Sequence, residues 1–177
     1  MKKIIGVTGF LFAVLFGSSQ QVIELEENTP QLYNGLEYGY YIGNEQSKEV
    51  KGEPYERYEV ILYVNNKNGC IKFIPFKITS SNNSNNDEIA IAEFTCKNAT
   101  GKRLTAKGGK VAAKPWFTEV RVQNENSGAN QPKYRTVNAQ IGYAVKSGQS
   151  LSNKIIVIVP KGERPKLMCR TSYFPDL

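Results

Sequence analysis

Beyond its first twenty residues the chain repeats one pattern: short runs in which apolar and polar positions alternate with period two, broken by turn-forming residues. Leu36–Ile42 places Tyr38 and Tyr40 on one face and Tyr41 on the other. Tyr58–Val64 sets Val60, Leu62 and Val64 against Ile61 and Tyr63. In Tyr134–Val145, Val137, Ala139, Ile141, Tyr143 and Val145 share a face opposite Thr136, Asn138 and Gln140, and Trp116–Val122 alternates in the same way. Ile155–Val159 is a continuous β-branched run and predicts a central strand buried on both faces. Further strands are expected at Cys70–Ile78, at Glu88–Lys97, at Arg103–Ala113 (broken by Gly108-Gly109) and at Leu167–Phe174. Pro75 points to an edge or a bulge in the first of these.

Polar segments separate the runs. Glu24–Thr29 reads as an acidic lead-in, Gly43–Pro54 as a connection, and Asn65–Gly69 as a turn with an Asn-Gly pair suited to positive φ. Ser80–Asn86 holds only Ser and Asn and predicts an exposed loop, as does Gln123–Pro132. One hairpin is expected to join Cys70–Ile78 to Glu88–Lys97, with Ile78 opposite Glu88. A second is expected to join Tyr134–Val145 to Ile155–Val159 through Ser147-Gly148. Eight or nine short strands with such punctuation predict an all-β antiparallel sandwich. Their uneven lengths argue against a closed barrel. No internal repeat or linker appears, so residues 20–177 are expected to form a single domain.

The segment GYAVKSGQSLSNKIIVIVP (Gly142–Pro160) resembles the last hairpin of many exported immunoglobulin-like modules. NNKNGC (Asn65–Cys70) and NATGKRLT (Asn98–Thr105) are similar to stretches of short, uncharacterised proteins exported by Bacteroidetes-type bacteria. The resemblance implies an immunoglobulin-like β-sandwich and carries no activity with it.

The start of the chain bears on location. Lys2 and Lys3 precede the apolar run Ile4–Phe16, and Gly17-Ser18-Ser19 supplies small residues for cleavage. The run is shorter than the roughly 20 residues that span a bilayer. Residues 1–19 therefore read as a cleaved signal peptide, with Gln20 opening the mature chain. No cysteine lies near that site to be lipidated, and no second stretch approaches membrane length. The expected location is the periplasm or the cell exterior. Cys70, Cys96 and Cys169 would meet an oxidising environment there. The register proposed for the first hairpin sets Cys70 opposite Cys96, a candidate disulfide; the alternative is three buried thiols.

Composition excludes several chemistries. The chain has no histidine, so Ser-His-Asp or Cys-His catalysis and His-ligated metals are ruled out. Three cysteines without a CxxC pair do not build a zinc site alone. Gly101-Lys102 is followed by Arg103 rather than Ser or Thr, and no GxGxxG, GxSxG or SxxK arrangement is present. The acids around Asp87-Glu88 and the neighbouring asparagines lack the alternation of a calcium loop. Catalytic residues, metal and cofactor are accordingly expected to be none. Asp87, Glu88, Glu93 and Glu119 are the carboxylates on which an alternative reading, an envelope-glycan hydrolase with a carboxylate pair, would rest.

Charge is unevenly laid out. The chain carries 23 basic and 16 acidic residues. Nine of the acids lie in residues 20–59, with three bases; residues 60–177 hold eighteen bases and seven acids. Lys97, Lys102, Arg103, Lys107, Lys110 and Lys114 form the densest basic stretch. In the plain reading, acidic N-terminal strands pair with the basic remainder through weak surface ion pairs. In the functional reading, this stretch is an outward patch that attracts an acidic glycan or an acidic envelope protein. Nucleic acid is not expected, as no binding motif is present. Tyr33, Tyr38, Tyr40, Tyr41, Tyr55, Tyr58 and Tyr63 crowd together and serve either cross-strand packing or a binding platform. The reading that results is an exported, non-catalytic binding or structural module.

Overall fold

A computed structural model of the chain describes residues 22–75, 88–97, 108–123 and 133–171. These residues form ten strands and no helix: β1 (Val22–Leu25), β2 (Gln31–Tyr33), β3 (Leu36–Val50), β4 (Glu53–Asn65), β5 (Lys72–Pro75), β6 (Ile89–Lys97), β7 (Gly109–Gln123), β8 (Tyr134–Val145), β9 (Ser150–Pro160) and β10 (Lys166–Thr171). They build two antiparallel sheets, one ordered β1-β10-β6-β7-β8-β5 and the other β2-β3-β4-β9. The leader 1–19, the loop Ser80–Asn86, and Lys102, Arg103 and Lys107 lie outside the described residues.

The core forms where the inner rows of the two sheets meet. Tyr38, Tyr40, Val60, Leu62, Val64, Val157 and Val159 come from the four-stranded sheet; Phe94, Cys96, Val111, Val145, Leu167 and Cys169 come from the six-stranded one. Period-two alternation has the expected effect in β3 and β4. Tyr38 and Tyr40 are buried while Tyr41 is 43% exposed, and Val60, Leu62 and Val64 are fully buried.

Strand pairing departs from the expected hairpins. Gly43–Pro54 is no connection, because β3 and β4 run on as one long hairpin. Lys51 (φ 55°) and Gly52 (φ 83°) turn it, the positive-φ pair that matches the twist of the flanking strands. Glu24–Thr29 is not a loose lead-in, since Val22–Leu25 pairs with β10. The described part of Arg103–Ala113 is not separate from Trp116–Val122 either: Gly109 begins a single strand that continues to Gln123, and residues 103–107 lie outside the described residues.

The hairpin through Ser80–Asn86 does not form. β5 pairs with β8, and β6 lies between β10 and β7. Cys96 therefore stands opposite Leu167, Cys70 is exposed on the β4–β5 connection, and all three cysteines are free thiols. The physical reason lies at Asn66. Its side chain holds the β4–β5 connection against the end of β8, so the chain leaves β4 for the other sheet. The expected pairing of Tyr134–Val145 with Ile155–Val159 fails at the same place. Residues 146–149 carry the chain between sheets, and β9 pairs with β4. Ile155–Val159 is an edge strand, with Ile156 47% and Ile158 48% exposed. Ile141 leaves its expected row because it is the extra residue of a bulge opposite Trp116/Phe117.

Candidate functional site

A cleft of about 710 Å³ opens between the β1–β2 segment and the β9–β10 connection. Tyr40 ties its two walls together. Its backbone carbonyl accepts a hydrogen bond from Asn28 N (3.0 Å), and its hydroxyl donates to the Pro165 carbonyl (3.3 Å). Burial pushes the Tyr40 phenol up to about 12, so the hydroxyl stays a donor. Arg164 closes one end, 2.6 Å from Glu27 and 3.5 Å from Glu45. The bond to Glu27 holds the guanidinium in its charged form. Behind it the Tyr58 hydroxyl donates to Glu56 Oε2 at 2.7 Å, with Glu45 Oε1 and the Glu163 carbonyl at 3.3 and 3.2 Å. Burial first, and then the bond to Glu56, raise its pKa.

The remaining charged lining is mixed, with Glu24 and Glu26 from the β1–β2 segment and two lysines at the other rim. Lys97 and Lys166 both line it, and they stand directly opposite each other on β6 and β10. Like charges in that position repel, so the pair favours an anion placed between them. Alternation carries the basic character along the outer face of the six-stranded sheet. Lys166 and Arg170 project from β10 because Leu167 and Cys169 turn inward; Lys110 and Lys114 project from β7 because Val111 and Ala113 do so. Lys110 reaches Glu93 at 2.6 Å across the β6–β7 ladder. Lys97, Lys114, Lys166 and Arg170 have no ion-pair partner among the described residues.

Of the six cations singled out in the sequence, then, Lys97, Lys110 and Lys114 share this face, and Lys102, Arg103 and Lys107 fall outside the described residues. The face also holds Lys166 and Arg170, which sequence reasoning missed. Their signal was present in the basic alternation Lys166, Met168, Arg170, but only the pairing of β10 with β6 brings it beside Lys97. The plain charge reading has its own support. Lys67–Glu37, Lys154–Glu59, Arg164–Glu27 and Arg164–Glu45 all join acids of residues 20–59 to bases of the remainder.

Other candidates separate. Glu93 is the partner of Lys110, Glu119 and Glu88 are exposed, and Asp87 lies outside the described residues. Among the described residues no three Cys, Asp or Glu side chains gather as a metal-binding group. Cys96 and Cys169 lie diagonally across β6 and β10 on the inner face, where burial raises their thiols to about 11 and about 12. Most of the tyrosine cluster packs: Tyr38, Tyr40 and Tyr58 are buried, and Tyr63 meets Tyr41 at 6.2 Å between ring centroids. No known family, curated protein or solved structure matches the chain.

Proposed function

We propose that the protein is an exported, non-catalytic binding module that engages an acidic glycan of the cell envelope through the outer face of its six-stranded sheet. In this reading residues 1–19 direct export to the periplasm or beyond without lipidation. The mature chain is one immunoglobulin-like β-sandwich, and it uses neither metal nor cofactor. The observation that carries the proposal is the opposed pair Lys97–Lys166 at the cleft rim, continued by Arg170, Lys110 and Lys114 on the same face. Five cations there stand among Glu24, Glu26, Glu88 and Glu93, and a spaced row of cations suits a polymer with an anionic group on each unit.

Retention on immobilised polygalacturonate tests it. The double variant Lys97→Glu/Lys166→Glu should elute at distinctly lower salt than the unaltered protein. Lys48→Glu/Lys161→Glu changes net charge equally but alters exposed lysines on the β3–β4 hairpin and the β9–β10 connection; it should elute close to the unaltered protein. Equal elution of the two variants would defeat the proposal, because binding would then follow net charge alone.

A further inference from the structure

Among the described residues the two sheets end in four edge strands, β1, β5, β2 and β9. Of these, β2 is three residues long, too short to offer much to another chain, and β1 and β5 hold four described residues each. β9 has eleven residues, and among the described residues no strand pairs with its far side.

Hydrogen bonds reveal which part of that side is open. Lys161 N donates to the Pro54 carbonyl (3.1 Å), and Asn66 N donates to the Gln149 carbonyl (2.9 Å). Bonded pairs recur at every second residue of an antiparallel ladder. The odd-numbered residues of β9 are therefore the ones bonded to β4, and the even-numbered residues turn their N–H and C=O outward. At the N-terminal end Asn153 closes this edge: its Oδ1 accepts the Lys154 N–H (2.7 Å) and its Nδ2 donates to the Lys110 carbonyl (2.8 Å). At the other end Pro160 has no N–H to give. The open window holds the backbone groups of Ile156 and Ile158, whose side chains are also about half exposed. It is uncharged and β-branched, the composition most prone to strand addition.

This window is self-complementary. We infer that two copies of the chain pair antiparallel through β9, about a two-fold axis at Val157. Ile156 of each copy then exchanges both backbone bonds with Ile158 of the other, making four hydrogen bonds. The next bonded position sets Lys154 against Pro160, and there neither residue has a donor to offer: one N–H is taken by Asn153 and the other does not exist. Charge agrees with the same register, since Lys154 is neutralised by Glu59 at 3.3 Å and meets no cation across the axis. The four isoleucines form one ladder on the outer face, and the interface is isologous and closed.

Parity supplies the test. At Ile158 the N–H faces the open edge, so Ile158→Pro leaves the β4 ladder intact while removing a donor from the interface. By sedimentation the full chain should run at twice its mass and dissociate on dilution. Ile158→Pro should run at the chain mass, with its dimer at least about tenfold weaker and its β-sheet circular dichroism unchanged. A second measurement does not depend on that variant folding. In the unaltered chain, exchange of the Ile156 and Ile158 amides should slow as concentration rises, whereas the Lys154 amide should be protected at every concentration. A monomer at all concentrations overturns the inference. So does a dimer whose Ile156 and Ile158 amides exchange independently of concentration.

Discussion

Asn66 is fully buried, and its Nδ2 donates to the Val145 carbonyl at 2.9 Å, joining the end of β4 in one sheet to the end of β8 in the other. The same nitrogen donates to the Cys70 carbonyl at 2.9 Å, and Oδ1 accepts from Asn68 N at 3.1 Å. One amide side chain thus satisfies both strand ends and the connection between them.

Replacing Asn66 with Ala should cost about 1–3 kcal/mol, because the buried Val145 carbonyl and the part-buried Cys70 carbonyl lose their donor. Asn66→Asp should be at least as damaging, since it keeps the shape and turns the donor into an acceptor facing those carbonyls. Urea denaturation measures both. An Asp variant as stable as the parent would show that the donor is not what holds this crossing.

Thiol chemistry should divide the cysteines by burial. Under native conditions Cys70 should react quickly with an aromatic disulfide reagent, and Cys96 and Cys169 only after denaturation, when three thiols should be counted. One free thiol in the denatured protein would contradict the free-cysteine arrangement.

Alkaline pH should destabilise the fold, and the sign follows from the same burial. Cys96 and Cys169 rise from 9.0 to about 11 and about 12, Tyr40 rises from 10.0 to about 12, and Tyr38 and Tyr58 also rise. Below about pH 9 both states hold these protons, so the groups add no pH dependence. Above it the unfolded chain releases protons that the native chain retains, and stability falls, more steeply once unfolded tyrosines ionise above 10. Urea midpoints at about pH 8 and pH 10.5 check this. Cys96→Ala/Cys169→Ala should flatten the part of the fall that begins below the tyrosine range.

Gly142 permits a close crossing on the outer face, where Phe73 and Trp116 meet edge to face at 5.9 Å between ring centroids. A Cβ there would collide with the Ile74 carbonyl oxygen and lie 2.7 Å from the Phe73 ring. Gly142→Ala should destabilise by about 1–3 kcal/mol. It should also shift the emission of Trp116, the single tryptophan of the chain. Unchanged emission and stability would show that the crossing is looser than described.

The inner rows of β3 and β4 were legible in the sequence, because alternation reports directly on which side a residue faces. Partners were not. Cys70–Ile78 carries nothing that selects β8 over β6; the selection is made by Asn66, which reads locally as an ordinary turn residue. Ile155–Val159 is apolar on both faces whether it sits in the middle of a sheet or at an open edge, so the pattern alone could not tell the two apart. Polar residues from Gly43 to Pro54 looked like a connection because they contribute little to the core, yet the Lys51-Gly52 turn keeps them paired. Three of the five cations on the basic face were visible as Lys97, Lys110 and Lys114, and the other two, Lys166 and Arg170, waited on the pairing of β10 with β6.

Amide chemical-shift mapping during titration with an oligogalacturonate tests the proposed role most directly. Perturbations should concentrate on Lys97, Lys110, Lys114, Lys166 and Arg170 and be suppressed by salt. No perturbation, or perturbation centred on the opposite sheet around Tyr41 and Tyr63, would contradict it.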